Sequence, residues 1–193
     1  MYLLLIVFFI AGLVVQQRLK SKFKKYSQEA LSNGLSGAEI AQRMLDAHGI
    51  TDVRIESVSG KLTDHYNPMQ KTVNLSPDVY SGRSVSAAAV AAHEVGHAVQ
   101  HAQAYEWLSL RSKLVPMVSI SSKFSQWLVI GGLILGAATN QAGIGFYIAI
   151  TGLVFMGLAT LFSFITLPVE YDASNRALAW LKNKNVVSQQ EFE

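Results

Sequence analysis

The sequence contains no cysteine among its 193 residues. This absence excludes disulfide bonds and thiolate-ligated metal sites, and it fits a reducing compartment. Charged residues are scarce at 15%, while half of the residues are hydrophobic, an apolar excess that is high for a water-soluble domain. The formal charge of +3 is not spread along the chain as in nucleic-acid-binding proteins. The composition therefore predicts one membrane-associated domain with no nucleic-acid partner.

The first apolar run covers Tyr2 to Val15, about 14 residues without a charge. This is short for a membrane span, although the run reaches about 17 residues if Gln16 and Gln17 extend to the interface. A basic cluster follows at once, at Arg18, Lys20, Lys22, Lys24 and Lys25. A cleavable signal carries its positive charges before the apolar run, so this order favours a permanent anchor with its N-terminus outside and the cluster in the cytoplasm. A buried core helix is the alternative, which the nearby cations disfavour.

The stretch from Ser84 to Gln103 has the composition of a buried helix. It is rich in alanine, lacks proline and is apolar around most of its circumference, with Ser84 as the predicted N-cap. Four polar side chains interrupt this apolar surface: His93, Glu94, His97 and His101. Buried polar groups are costly unless they are satisfied, so these four residues need partners.

The spacing of His93 and His97 indicates a metal site. Residues four apart lie on one helix face about one turn apart, where two imidazoles can share a zinc ion. Glu94 can reach a zinc-activated water as a general base without ligating the metal, which is the chemistry of the H-E-x-x-H motif. Histidines that merely bond to buried carbonyls are the alternative, and the alanine-rich, apolar surroundings disfavour it.

A third metal ligand is not evident from this helix. His101 lies about 80° around the helix from His93, so it is poorly placed as a third ligand and is expected to line the site or to bond a carbonyl. Glu106 would point to the opposite side if the helix continued. Glu170, after the later apolar runs, could meet the zinc helix, but its place near a predicted helix N-terminus has a simpler electrostatic explanation.

Shorter signals predict a small helix and two strands before the zinc helix. Ser36 and Glu39 form a capping box that opens an amphipathic helix, and Gly49 ends it. Its predicted buried face consists of Ile40, Ala41, Met44 and Leu45, with His48 as a further candidate for the same face. Alternation predicts strands over Asp52–Val58 and Lys71–Leu75.

The segment between the strands, Leu62–Pro68, places four polar side chains in a predicted turn. These are Asp64, His65, Tyr66 and Asn67. Ordinary turn chemistry explains them. The alternative is that His65 or Tyr66 faces the zinc site and stabilises an oxyanion, and the sequence leaves both interpretations open.

Two later apolar runs predict a membrane hairpin. Pro116–Thr139 has a clean apolar core from Trp127, and Ile144–Leu167 has about 24 residues without a charge. The uncharged turn Asn140–Gly143 is predicted to lie outside, and Pro168 to end the second span and start a new helix. Five glycines are predicted to allow close helix packing: Gly131, Gly132, Gly136, Gly152 and Gly157.

Four stretches together carry a family resemblance: Leu62–Pro68, Ala91–His101, Leu110–Pro116 and Thr166–Ser174. They closely resemble the neutral zinc metallopeptidases of the bacterial YugP type, over about 26–181. More distantly the chain resembles gluzincin membrane proteases of the HtpX and CAAX-processing kind. The resemblance places Glu170 at the third zinc-ligand position. The family's usual Asp is replaced by Ser174, and Asp172 is the alternative source of a contact that orients a ligand.

These features predict a mainly α, membrane-embedded, gluzincin-like protease. A small β-sheet precedes the H-E-x-x-H helix, and there are about three transmembrane helices. The predicted segments are a membrane anchor (1–17), a cytoplasmic zinc-peptidase domain (18–115), a transmembrane hairpin (116–167) and a cytoplasmic helix with the third ligand (168–193).

The predicted function is that of a zinc-dependent endopeptidase at the cytoplasmic face of a bacterial plasma membrane. One Zn²⁺ per chain would be held by His93, His97 and Glu170, and Glu94 would be the general base; His65, Tyr66 or His101 would support the oxyanion. As gluzincins align substrates on a sheet edge, the strand Lys71–Leu75 is predicted to pair with flexible peptide segments.

Other partners and a rival function stay open. The lipid bilayer is a predicted partner, and the sequence leaves membrane-protein partners or a homo-oligomer open. The rival function is a catalytically silent, zinc-stabilised membrane scaffold or partner-binding protein. Such a site would take a fourth protein ligand from His101, His65 or Asp172.

Overall fold

The computed structural model describes residues 2–139, 142–184 and 186–188. The fold is mainly helical and includes a small three-stranded sheet. The elements are α1 (Tyr2–Ser27), α2 (Gly37–Ala47), β1 (Arg54–Ser57), β2 (His65–Asn67), β3 (Thr72–Leu75), α3 (Pro77–Tyr80), α4 (Val85–Ala102), α5 (Glu106–Thr139) and α6 (Ala142–Asn183). The chain divides into two compact units, Met1–Val99 with Ala173–Glu193, and Gln100–Asp172.

The predicted capping box at the start of α2 is confirmed. The Ser36 hydroxyl accepts from the Glu39 backbone N–H at 3.3 Å, and the Glu39 carboxylate accepts from the Ser36 backbone N–H at 2.7 Å. These bonds hold the pKa of Glu39 below its ordinary value, so the stability they add is lost as the pH falls through that pKa. Gly49, with a φ of +67°, ends the helix as predicted. The predicted buried face is correct for Ile40, Ala41, Met44 and Leu45, which are fully buried, and wrong for His48, which is exposed where the helix ends.

The sheet contains a strand that the sequence did not predict. The strands at 54–57 and 72–75 lie inside their predicted ranges, but the turn predicted over Leu62–Pro68 is wrong at its centre, where His65–Asn67 forms β2. β2 pairs antiparallel with β3. Three residues are too few for an alternating pattern to be read, and the Asn67–Pro68 pair has the chemistry of a turn. The tertiary pairing with β3 therefore decides the structure here.

The prediction that Lys71–Leu75 offers an open sheet edge is wrong. The strand order is β1-β3-β2, so β3 has a hydrogen-bonded neighbour on both sides. All four residues of β3 are buried, and Val73 and Leu75 are completely buried in the apolar core. Among the described strands, the outer edges belong to β1 and β2.

Helix α4 has the predicted position and environment. It runs from Val85 to Ala102, and the Ser84 hydroxyl before it accepts from the Ala87 backbone N–H at 3.3 Å, as expected of an N-cap. Its small apolar side chains enter the same core as the sheet and α2. The α4 members of this core are Ala87, Ala88, Ala91, Ala92, Val95, Ala98 and Val99.

Helices α5 and α6 pair as an antiparallel hairpin, as predicted, but α5 begins at Glu106, earlier than the predicted start at Pro116. A Cβ at Gly132 would lie 2.5 Å from the Ala149 backbone nitrogen, and one at Gly145 would lie 2.6 Å from Gly136 Cα. Contact this close requires glycine. Of the predicted turn, positions 140 and 141 lie outside the described residues, and Ala142 already begins α6.

The glycine prediction is correct for one face of the hairpin only. Gly132, Gly136 and Gly152 lie at the contact between the helices. Gly131 and Gly157 have open space where a Cβ would stand, so for these two the prediction is wrong. A hydrophobic stretch does not reveal which of its faces meets the partner helix, and adjacent glycines such as 131 and 132 necessarily point in different directions.

The prediction that Pro168 starts a new helix is also wrong. α6 continues through it as one helix of 42 residues, from Ala142 to Asn183. Proline deletes one backbone donor and disfavours helical geometry in the preceding residue, but a helix held from outside can tolerate it. Here a side chain of α4 holds α6 immediately after the proline: Gln100 Nε2 donates to the Val169 carbonyl at 2.8 Å.

Two helices of the described residues are long and apolar enough to cross a membrane, Glu106–Thr139 and Gly143–Asn183. Only 11% of the most apolar window of each is buried within the protein, as expected of surfaces that meet lipid. The third predicted span, in α1, is not among them and stays a prediction.

Candidate metal centre

The two histidines of α4 lie together on one face of the helix. The ring centroids of His93 and His97 are 4.8 Å apart, with the ring planes nearly perpendicular. His97 is buried and His93 is half-buried. Glu94, next to His93 in sequence, is also buried, at 8% exposure. A carboxylate this poorly solvated needs a local role or a partner.

One ring nitrogen of His93 is engaged by a residue of α6. Ser174 Oγ lies 3.1 Å from His93 Nδ1, so Nε2 is the ring nitrogen suited to a metal. The sequence left open whether Ser174 or Asp172 makes this contact. The structure assigns it to Ser174. Asp172 instead accepts from Gln100 Nε2 at 2.8 Å.

Gly96 allows the close approach of α4 and α6 beside the histidines. A Cβ at Gly96 would lie 2.5 Å from the Ala173 carbonyl oxygen, a distance that real side chains do not tolerate. Further along α4, Gln100 is fully buried and donates both amide protons, to the Val169 carbonyl and the Asp172 carboxylate. These contacts fix the rotation of α6 on either side of residue 170.

We therefore expect Gly96→Ala to disturb the centre by forcing backbone apart. Overpacking of this kind typically costs about 1–3 kcal/mol, and we expect a lower unfolding temperature together with weaker zinc binding. Gly131→Ala is the matched control, because its Cβ would meet nothing within 4 Å and alanine favours helices. Equal stability and zinc affinity in the two variants would contradict the close contact at Gly96.

Glu170 joins the two histidines. Ser174 is one helical turn after Glu170, so the face of α6 that meets His93 also carries Glu170. One ligand atom from each of His93, His97 and Glu170 can be chosen so that all three lie within 4.8 Å of one another. Among the described residues, this is the cluster of histidine and acidic side chains that could hold a metal ion.

The donor set fits zinc. Two imidazoles and one carboxylate are a common zinc ligand set, and the three donors leave a fourth tetrahedral position for a water or substrate. Ser174, which contacts His93 Nδ1, is the kind of hydrogen-bond partner that orients a metal-ligating histidine through its other ring nitrogen. With no cysteine in the chain, softer thiolate-binding metals are disfavoured.

Comparison with known proteins supports the same metal. A family model described as "Putative neutral zinc metallopeptidase" matches residues 1–193. The chain belongs to this family. It is 47% identical to "Putative membrane protease YugP" of Bacillus subtilis (strain 168) over 162 residues, which are 84% of this chain and 68% of that protein. No solved structure matches the chain.

His65 and Tyr66 are two further candidate site residues of this metallopeptidase. They lie on opposite faces of β2, because successive side chains of a strand point to opposite faces of the sheet. Tyr66 pairs with Val73 and packs against the apolar core that contains the α4 alanines. His65 pairs with Asn74 on the other face. Of the two, Tyr66 is therefore the one that packs against the core to which α4 also contributes.

The hydrogen bonds of His65 also limit its role. Its Nδ1 lies 2.7 Å from the Thr63 carbonyl, which can only accept, so Nδ1 carries the proton. Nε2 is then the acceptor of the neutral ring and lies 3.3 Å from the Asn74 amide.

Burial, with a smaller contribution from Asp52, raises the pKa of Tyr66 to about 12. The Tyr66 phenol is a hydrogen-bond donor at neutral pH, as a tyrosine of ordinary pKa also is.

Of the other residues discussed for the centre, the sequence predicted His101 but neither Gln100 nor Arg111. His101 is exposed near the end of α4 and is not part of the metal-binding cluster of the described residues. Gln100 was not predicted, although a polar residue three positions after His97 in an apolar helix was a usable signal. Arg111 was not predicted either: its Nη2 lies 3.1 Å from Glu170 Oε1, a contact that only the hairpin creates.

Proposed function

We propose that the protein is a zinc endopeptidase that cleaves peptide segments at the cytoplasmic face of a bacterial membrane. The observation that carries this proposal is the cluster of His93, His97 and Glu170, with the buried carboxylate of Glu94 next to His93. Membership in a zinc metallopeptidase family and similarity to a protein named as a membrane protease support it.

In the proposed mechanism, His93, His97 and Glu170 would hold the zinc ion. When bound, zinc acts as a Lewis acid that polarises the scissile carbonyl and makes water more acidic. Glu94 takes a proton from the attacking water and later gives it to the leaving amine. Ser174 keeps His93 oriented through Nδ1, and Tyr66, on the core-facing side of β2, is the proposed donor to the developing oxyanion.

Substrate would bind as an extended segment along the outer edge of β2. This strand is next to the central strand, and its Tyr66 is on the core face of the sheet. Strand addition reads mainly the backbone, so it selects chains that can become extended. We therefore propose flexible tails and partly unfolded segments near the bilayer as substrates.

The length of α6 supports cleavage beside the membrane and not within it. Glu170 follows Ala142 by 28 residues of continuous helix, which is about 42 Å along the axis. The hydrocarbon core is only about 30 Å thick, and an ordinary tilt shortens the rise by a few per cent. With residues 140–143 at the outer surface, Glu170 lies beyond the inner boundary of the core.

We propose the corresponding arrangement of the whole chain. Residues 1–17 anchor the protein, 18–115 form the cytoplasmic peptidase domain, 116–167 span the membrane twice, and 168–193 return to the cytoplasm with the third ligand. The basic residues in the last turn of α1, Lys24 and Lys25, then face the cytoplasm, in agreement with the positive-inside rule.

Single cysteines test this topology against a background that has none. In intact cells, an impermeant maleimide should label Gly143→Cys, because Gly143 is exposed at the start of α6. Ser27→Cys and Ser188→Cys, both at exposed positions, should be labelled only after lysis. Labelling of Ser27→Cys in intact cells would reverse the orientation.

Removal of the metal tests the function directly. We expect the purified full chain in detergent to cleave fluorescently labelled casein, an unfolded protein, and to lose this activity with 1,10-phenanthroline. One equivalent of Zn²⁺ per chain should restore it. Protein that binds zinc and gains stability from it, yet cleaves nothing, would instead be the zinc-stabilised scaffold.

A further inference from the structure

Arg111 forms an ion pair with the proposed metal ligand Glu170. Its Nη2 lies 3.1 Å from Glu170 Oε1, and the two side chains are 31% and 40% exposed. Exposed ion pairs contribute little to stability, typically about 0–1 kcal/mol. A contribution to stability is therefore a weak explanation for the presence of an arginine beside the proposed metal ligand.

The register of the hairpin brings the two residues together. Away from the hairpin turn, the contacting pairs are Gly136 with Gly145, Gly132 with Ala149, and Val129 with Gly152. From one pair to the next, the residue number on α5 falls by as much as the number on α6 rises. The same progression sets residue 111 opposite residue 170. The ion pair thus lies in the same antiparallel register as the glycine contacts near the hairpin turn.

The chemistry of both groups allows the pair and a metal to coexist. A carboxylate has two oxygens and about four acceptor sites, so it can accept from arginine and still ligate a metal. Guanidinium is planar and holds a carboxylate in a defined orientation, which the compact ammonium of lysine does not do. Repulsion between Arg111 and a dication opposes this benefit, but solvent screens it at these exposures.

We propose that Arg111 is a positioning residue for the metal centre: it holds the Glu170 carboxylate in the orientation that completes the site. This inference rests on the proposed function only in taking Glu170 as a ligand. Because outer partners of metal ligands typically change affinity by about 10–100-fold, the predicted effect is measurable.

The test is the zinc dissociation constant of the purified full chain, measured by competition with a chromogenic chelator. Arg111→Ala should bind zinc about 10–100-fold more weakly, and Arg111→Lys should recover part of the loss. Lys113→Ala is the matched control, since it removes an equal charge from an exposed position on the same helix and should bind as the wild type does. Circular dichroism reports whether each variant is folded.

A double mutant separates positioning from general stability. With Glu170→Gln already present, adding Arg111→Ala should change zinc affinity no further. The visible absorption of bound Co²⁺ should change with Arg111→Ala and not with Lys113→Ala. Equal or tighter zinc binding by folded Arg111→Ala, with weak binding by Glu170→Gln, would overturn the positioning role alone. Wild-type zinc binding by Glu170→Gln would instead overturn the proposed metal centre.

Discussion

Glu94→Gln should abolish peptide-bond cleavage while leaving the zinc content of the protein unchanged. The substitution preserves the shape of a buried side chain and removes only its ability to accept a proton. General-base catalysis typically contributes about 10²–10⁴-fold, so we expect casein cleavage to fall at least about 100-fold. His93, His97 and Glu170 remain in place, and zinc binding by elemental analysis should stay at one per chain.

Glu106→Gln is the control for this experiment. It also neutralises one carboxylate, but at an exposed position in the first turn of α5. We expect it to cleave casein at the wild-type rate. Undiminished cleavage by Glu94→Gln would remove Glu94 from the mechanism, whatever the metal content of the protein.

Glu170→Gln should lower zinc occupancy sharply. Two neutral imidazoles alone leave the charge of the dication uncompensated, and an amide is a much poorer ligand than a carboxylate. Asp172→Asn is the matched comparison, because Asp172 acts through Gln100 and asparagine can still accept that hydrogen bond. We expect its zinc occupancy after dialysis to be close to that of the wild type.

The opposite result would change the ligand set. Full zinc retention by folded Glu170→Gln would require another third ligand, and the gluzincin-like centre would have to be abandoned. Zinc analysis of His101→Asn and His65→Asn would then identify the replacement, since these are the remaining histidine candidates near the motif.

Local patterns predicted the parts of the centre that depend on one helix. The four-residue spacing of His93 and His97 is a property of helical geometry, and it places both rings on one face wherever the helix packs. The Ser36–Glu39 capping box and the Ser84 cap are likewise local, and both are present. The placement of Glu170 came from the family resemblance, because no spacing rule links residues so distant in sequence.

Tertiary contacts account for what the sequence did not predict. β2 exists because β3 pairs with it, and the same pairing turns the supposed edge strand into the central one. α6 passes through Pro168 because Gln100 holds the helix just beyond it. Arg111 reaches Glu170 because glycines near the hairpin tip set the register of both helices. None of these contacts follows from a periodicity or a spacing rule within one segment.

X-ray absorption at the zinc edge of the purified protein tests the metal centre most directly. Imidazole rings give a distinctive scattering pattern, so the spectrum counts the histidines bound to the metal. We predict one zinc per chain with two histidine nitrogens at about 2.0–2.1 Å and only oxygen ligands besides them. A third histidine in the spectrum, or protein that takes up no zinc, would contradict a centre formed by His93, His97 and Glu170.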